Sequence, residues 1–195
     1  MRLLLALAIL VLSPGLAFAH TGIDHGAGLF HGLAHPVGGL DHVLTMVAVG
    51  VLAFVLGGRA LWLVPLSFVG MMIIGFASGI AQIGVPFVEL GIALSSVVIG
   101  AAAAAGRPMP VALAMGLVGS FAIFHGHAHG AEMPESAGGL GYGLGFVTAT
   151  TVLHLAGIAA ALGAARIIGR YGKLAAQIAG GVFALGGIGV LAGWL

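Results

Sequence analysis

The sequence predicts an all-α membrane protein: a polytopic bundle of six transmembrane helices behind a cleavable signal peptide. Three observations predict it. Only 6% of the 195 residues are charged, where a soluble domain carries about a quarter, and mean hydropathy is +1.22. Apolar runs of about 20 residues, long enough to cross a bilayer, recur along nearly the whole chain. These runs lack the apolar–polar alternation of an outer-membrane barrel strand.

Residues 1–19 read as a secretory signal. Arg2 supplies the positive n-region, Leu3–Leu12 the apolar h-region, and Ala17-Phe18-Ala19 the cleavage site, after a break at Ser13-Pro14-Gly15. An uncleaved first span is the competing reading; the run is short for it, and Pro14-Gly15 interrupts it. Cleavage leaves His20 as the mature N-terminus, outside the bacterial cytoplasmic (inner) membrane. Residues 20–36 form a Gly- and His-rich extracytoplasmic segment, too polar to span. The transmembrane domain is residues 37–195. Its apolar segments lie near 37–57, 61–81, 86–105, 109–127, 140–164 and 174–194. Pro65, Pro86 and Pro110 are expected in opening turns, where a missing N–H costs little. The 36 glycines read as surfaces for close helix packing in lipid.

Charge sets the expected topology. Past the signal, every Lys and Arg (Arg59, Arg107, Arg166, Arg170 and Lys173) falls in alternate connections, which the positive-inside rule assigns to the cytoplasm. Asp24, Asp41, Glu89, Glu132 and Glu135 map to the other side, as do eight of the nine histidines. An external acceptor of cations explains both. Net charge is +1 and no dense basic cluster exists, so nucleic acid is not an expected partner. With no cysteine, thiolate metal sites are excluded.

Two polar stretches stand out against the lipid-like background. The first is His35-Pro36-Val37-Gly38-Gly39-Leu40-Asp41-His42, followed by Met46. On one continuous helix His35 and His42 lie about 20° apart after two turns, and Met46 extends their stripe. Pro36 and Gly38-Gly39 are expected to distort that start. Two imidazoles, a carboxylate and a thioether suit Ni²⁺, Co²⁺, Zn²⁺ or Cu²⁺ better than Mg²⁺ or Ca²⁺. The bland reading is that Asp41 and His42 cap a helix and pair with each other. The second stretch is Phe124-His125-Gly126-His127-Ala128-His129-Gly130-Ala131-Glu132. Here His125 and His129 share a helix face if the helix lasts that far, and His127 points away. Solvated loop histidines are the alternative. Glu89 lies at the outer end of the third segment. His154 lies about 21 Å deep in the fifth, at ~1.5 Å per residue. A buried ionisable residue in lipid marks a pathway by default; a His154 bonded to a threonine or a carbonyl is the alternative.

Both stretches resemble the signature blocks of the HupE/UreJ family of nickel permeases. The signal peptide, six later spans and Gly/Ala richness are similar too, so the resemblance covers the whole chain. It implies nickel uptake for hydrogenase or urease maturation, with His35, Asp41, His42, His125, His129 and Glu132 binding the metal. Met46, Glu89, His154 and His20 are weaker pathway candidates. The expected function is therefore a nickel permease, with cobalt open as cargo, and not an enzyme. The metal is substrate rather than resident cofactor, and the partners are the divalent ion and the lipid bilayer. Homo-oligomer formation is left open by the sequence. The competing reading is a membrane-embedded metal-dependent hydrolase, with His42, His125 and His129 holding Zn²⁺ and Asp41 or Glu132 activating water. An extracytoplasmic metal buffer or sensor is a third.

Overall fold

A computed structural model describes residues 25–134 and 138–195. The signal peptide and His20 lie outside the described residues. Among the described residues seven α-helices follow one another: α1 His25–Gly38, α2 Leu40–Leu56, α3 Ala60–Ile80, α4 Val88–Ala105, α5 Val111–Ala131, α6 Gly139–Ile168 and α7 Gly172–Leu191. A 3₁₀ turn, Gly169–Tyr171, joins the last two. No strand occurs among the described residues. In lipid only intrasegment backbone bonds are free of penalty, and the helices meet that demand.

Among the described residues four stretches are long and apolar enough to cross a membrane, or five if the bent pair α1–α2 counts as one span. The sequence expectation was six. The difference arises because α6 and α7 run on as a single 53-residue stretch, Gly139–Leu191, when judged by length and composition. Large side chains such as Leu66, Ile74, Leu113 and Leu185 are exposed on the outside, the reverse of a soluble fold and what a lipid-facing surface needs. Proline placement corrects one expectation. Pro86 and Pro110 precede their helices, but Pro65 lies inside α3.

The expected stripe of His35, His42 and Met46 on one helix is also corrected. The chain breaks at Gly39, whose backbone is extended, and α1 and α2 meet at a bend of 84°. Pro36 and Gly38 are accommodated within α1, and Gly39 alone takes the bend. His35 and His42 therefore come from two separate helices. Residues 20–36 read as a polar segment in the sequence; from His25 onward they belong to a helix, His25–Gly38, that packs along α6. Gly32 of α1 sits against the Tyr142 backbone, and Gly145 of α6 against Leu29 and Leu33.

The tightest packing is between α3 and α5. A Cβ at Gly75 or Gly79 would collide with the backbone of Ile123, His127 or Ala131. One at Gly126 or Gly130 would collide with Met72, Phe76 or Ile80. Successive contacts climb both helices together, so α3 and α5 run parallel. In contrast α7 runs antiparallel to α4, with Gly180 at Gly100 and Gly187 at Ser96. The core between these pairs holds Met46, Leu52, Val64, Phe68, Met72, Ile99 and Phe146. Asp41, Glu89, Glu132 and Tyr142 gather at one end, whereas Arg59, Arg107, Arg170 and Lys173 lie at the opposite ends of the helices.

Replacing the packing glycines tests this arrangement. Gly126→Val and Gly79→Val are each expected to cost at least about 1–3 kcal/mol by overpacking. Gly116→Ala, where a Cβ meets nothing within 4 Å, should leave the melting temperature in detergent unchanged or slightly raised.

Candidate metal site

The site begins with a cavity of about 620 Å³ at the carboxylate end of the bundle, lined by His31, His35, Asp41, His42, Glu89, Glu132 and Tyr142, among others. Five helices contribute. The bend at Gly39 presents the end of α1 and the first turn of α2 to the same space. Glu89 stands in the first turn of α4, after Phe87 takes up the left-handed backbone region at φ 59°. That conformation is uncommon for an aromatic residue. Helix α5 continues to Ala131, so the His-rich tract is helical rather than a solvated loop, and Glu132 follows at its end.

At the rim, His35 Nε2 lies 3.4 Å from Glu132 Oε2, with both side chains well exposed. Asp41 Oδ1 accepts from the His42 backbone N–H at 2.8 Å and lies 3.0 Å from His42 Nδ1. The expected alternative, that these neighbours pair with each other, thus describes their contact. It also has a chemical consequence. A carboxylate holding Nδ1–H fixes the imidazole as the tautomer with a bare Nε2, the arrangement that orients metal-ligating histidines elsewhere. Nε2 of His42 is buried and has no hydrogen-bond partner among the described residues.

Behind His42 the imidazoles are packed ring to ring. The His42 centroid lies 4.7 Å from that of His125 and 4.9 Å from that of His129, both edge-on. His129 in turn lies 4.9 Å from His35 and stacks on Phe146 at 5.0 Å. His125 and His129 are both fully buried, one helical turn apart on α5. Neither ring nitrogen of His129 has a partner, nor does Nδ1 of His125. His125 Nε2 meets Ser95 Oγ at 2.9 Å, and Ser95 Oγ meets Thr45 Oγ1 at 2.7 Å. His127 points the other way, to Ser78 Oγ on α3 at 3.1 Å.

Deeper still, Phe68 lies 5.7 Å from His125 and 5.1 Å from His154, between the outer imidazoles and the inner one. His154 is 1% exposed, with both ring nitrogens unpartnered. Thr150, one turn away, directs its hydroxyl to Met72 Sδ instead. The anticipated threonine bond is not made. Met46 is fully buried in the core one turn below His42. As folded, no three His, Asp or Glu side chains already converge on one point among the described residues.

The chain matches the family described as HupE / UreJ protein over residues 7–190. It belongs to the HupE/UreJ family. It is also 44% identical over 180 residues to Protein HupE of Rhizobium leguminosarum bv. viciae, an alignment spanning 92% of each chain. No solved structure matches it. As a HupE/UreJ protein with several apolar spans, it is a multi-pass membrane protein.

Of the residues expected from this family's blocks, the fold brings together His35, Asp41, His42, Glu89, His125, His129 and Glu132. It sets His154 and Met46 deeper. Tyr142, Ser95, Thr45 and Phe68 went unnoticed in the sequence as site residues. Tyr142 and Phe68 look like ordinary aromatic core. A Ser95-Ser96 doublet inside an otherwise apolar run was a signal that could have been followed.

An unmade buried hydrogen bond costs about 1–3 kcal/mol, so unpartnered imidazoles should lower stability rather than support it. His129→Leu and His154→Leu are therefore expected to keep or raise the melting temperature of metal-free protein in detergent. A clear fall in either would show that these rings are held by polar partners.

Proposed function

We propose that the chain is a permease carrying Ni²⁺, with Co²⁺ as alternative cargo, inward across the cytoplasmic membrane for hydrogenase or urease maturation. The family is associated with nickel and cobalt transport for these enzymes. One observation carries the reading: a carboxylate-lined cavity opens onto His42, buried imidazoles pack behind it, and His42, His125, His129 and His154 each keep at least one ring nitrogen without a partner among the described residues. Glu89, Glu132 and His35 attract and receive the hydrated ion at the rim. Asp41 and His42 exchange its water for carboxylate oxygen and imidazole nitrogen. His125 and His129 extend that donor set inward, and Phe68 separates it from His154. Imidazole and carboxylate together suit borderline divalent ions, and the Met46 thioether lies one turn further along α2.

The orientation follows from charge. With the cavity outside, all five Lys and Arg residues past the signal fall at three cytoplasmic connections, in keeping with the positive-inside rule. Six spans result if α6 and α7 cross separately. Their opposed directions support this, and 53 helical residues end to end would measure about 80 Å against a hydrocarbon core of about 30 Å. The sequence holds no G-x4-G-K-[ST] phosphate-binding motif, so the ion gradient, the membrane potential or proton exchange drives the movement. His154, buried beyond Phe68 with both ring nitrogens unpartnered among the described residues, is a further donor below the outer cluster, which favours passage over hydrolysis at a closed site.

The test is ⁶³Ni²⁺ accumulation in cells expressing wild type, Asp41→Asn or His42→Ala at matched membrane levels. Uptake should rise with the wild type and fall at least about tenfold in both variants, the scale of losing a ligand or its orienting partner. Equal uptake in all three strains would overturn the permease reading. Protons compete with metal for imidazole, so uptake should also fall as pH drops from 7.5 to 5. A flat response over that range would remove the histidines from the route.

A further inference from the structure

Ser95 and Thr45, which belong to neither signature block, have a role in the site that hydrogen-bond accounting reveals. Both are fully buried, on α4 and α2, at the point where these helices meet α5. A serine hydroxyl has one hydrogen and two lone pairs. Ser95 Oγ is close to three groups: the Ile92 carbonyl of its own helix, Thr45 Oγ1 and His125 Nε2. A carbonyl can only accept, so the Ser95 hydrogen goes to Ile92, the back-bond that serine commonly makes within a helix. Both remaining contacts must then be donated to Ser95. Thr45 supplies its hydroxyl hydrogen, and His125 must supply an N–H from Nε2.

We propose that Ser95, backed by Thr45, locks His125 as its Nε2–H tautomer and leaves Nδ1 as the nitrogen that meets the transported ion. The proposal rests on the permease reading for the identity of the ion, but not for the tautomer. Nδ1 is the buried His125 nitrogen with no partner among the described residues. His42, whose ring packs edge-on against His125, is set the opposite way, with Asp41 on Nδ1 and Nε2 bare. Adjacent imidazoles thus offer opposite ring nitrogens, each fixed by a different kind of partner: a carboxylate at the rim and a hydroxyl pair inside. The two devices differ in strength. A carboxylate raises the basicity of the ring it holds, and a neutral hydroxyl does so far less. His42 is accordingly the tighter ligand and His125 the looser one, a gradient that lets an ion move on. Ser95 and Thr45 are positioning residues, since neither need touch the metal.

Selective ¹⁵N-histidine labelling and long-range ¹H–¹⁵N correlation on metal-free protein in nanodiscs read the tautomer directly, with His125→Gln identifying the signal. Wild type should show His125 as Nε2–H. Ser95→Ala should convert that signal to a mixture or to Nδ1–H, and raise the Ni²⁺ concentration for half-maximal uptake by roughly tenfold or more. Maximal uptake at saturating Ni²⁺ should change less than about twofold. Thr45→Val, which leaves Ser95 in place, should keep the tautomer and shift half-saturation less. An Nδ1–H tautomer in wild type, or an unchanged signal in Ser95→Ala, would overturn the proposal. Should the wild type carry no nickel, the permease reading fails by itself, because the tautomer is measured without metal.

Discussion

The rest of the structure depends on how closely the backbones of α3 and α5 approach. Gly75 and Gly79 on one helix and Gly126 and Gly130 on the other leave no room for a methyl group. Lipid offers little hydrophobic drive for helices to associate, so dispersion between backbones in direct contact does that work. Two of the four glycines are interleaved with the histidines of α5. Residues 126 and 130 share one face and meet α3, and residues 125 and 129 share the adjoining face and meet His42. Packing and the proposed ligation use neighbouring stripes of one helix. The Phe124–Glu132 block is thus a packing motif as well as a candidate ligand motif.

Around that crossing, the imidazoles differ in what holds them. His42 is fixed by a carboxylate, His125 by a hydroxyl and His127 by Ser78, whereas His129 and His154 rely on aromatic and aliphatic contacts. Packing alone orients those two rings, with no hydrogen bond among the described residues to choose between their nitrogens. A donor set only partly held by hydrogen bonds suits the proposed passage, in which an ion is bound and then released. A rigid cage of fully oriented ligands would retain it.

Much of this was legible in the sequence because membrane chemistry makes polarity conspicuous. The helical class, the segment positions and the gathering of His42, His125, His129, Glu89 and Glu132 at one end all follow from apolar length and charge placement. The bend at Gly39 was not legible in full. Pro36 and the glycine pair signal a distortion, but Pro36 sits inside α1 and Gly39 alone takes the extended backbone. Counting helical turns across that point put His35 and His42 on one stripe, where they are in fact delivered by two helices. Likewise, nothing in the spacing of Thr45 and Ser95, 50 residues apart, announces that they meet. Such pairings come from tertiary packing and leave no local periodicity.

The placement of acidic groups also sets the electrical profile of the interior. Asp41, Glu89 and Glu132 line the outer cavity, whereas the polar groups around Phe68 and His154 are imidazole and hydroxyl. Neither brings negative charge. A divalent ion has carboxylate counter-charge at the rim and none beside His154, so its electrostatic energy climbs along the way in. A membrane potential, negative inside, tilts that climb downward by about 4.6 kcal/mol for two charges per 100 mV. The same potential cannot help an ion that lingers at the rim, where little of the field has yet been crossed. Under the proposed permease function, a bundle with its acids at one end and bare imidazoles below couples inward flow to membrane voltage through charge placement.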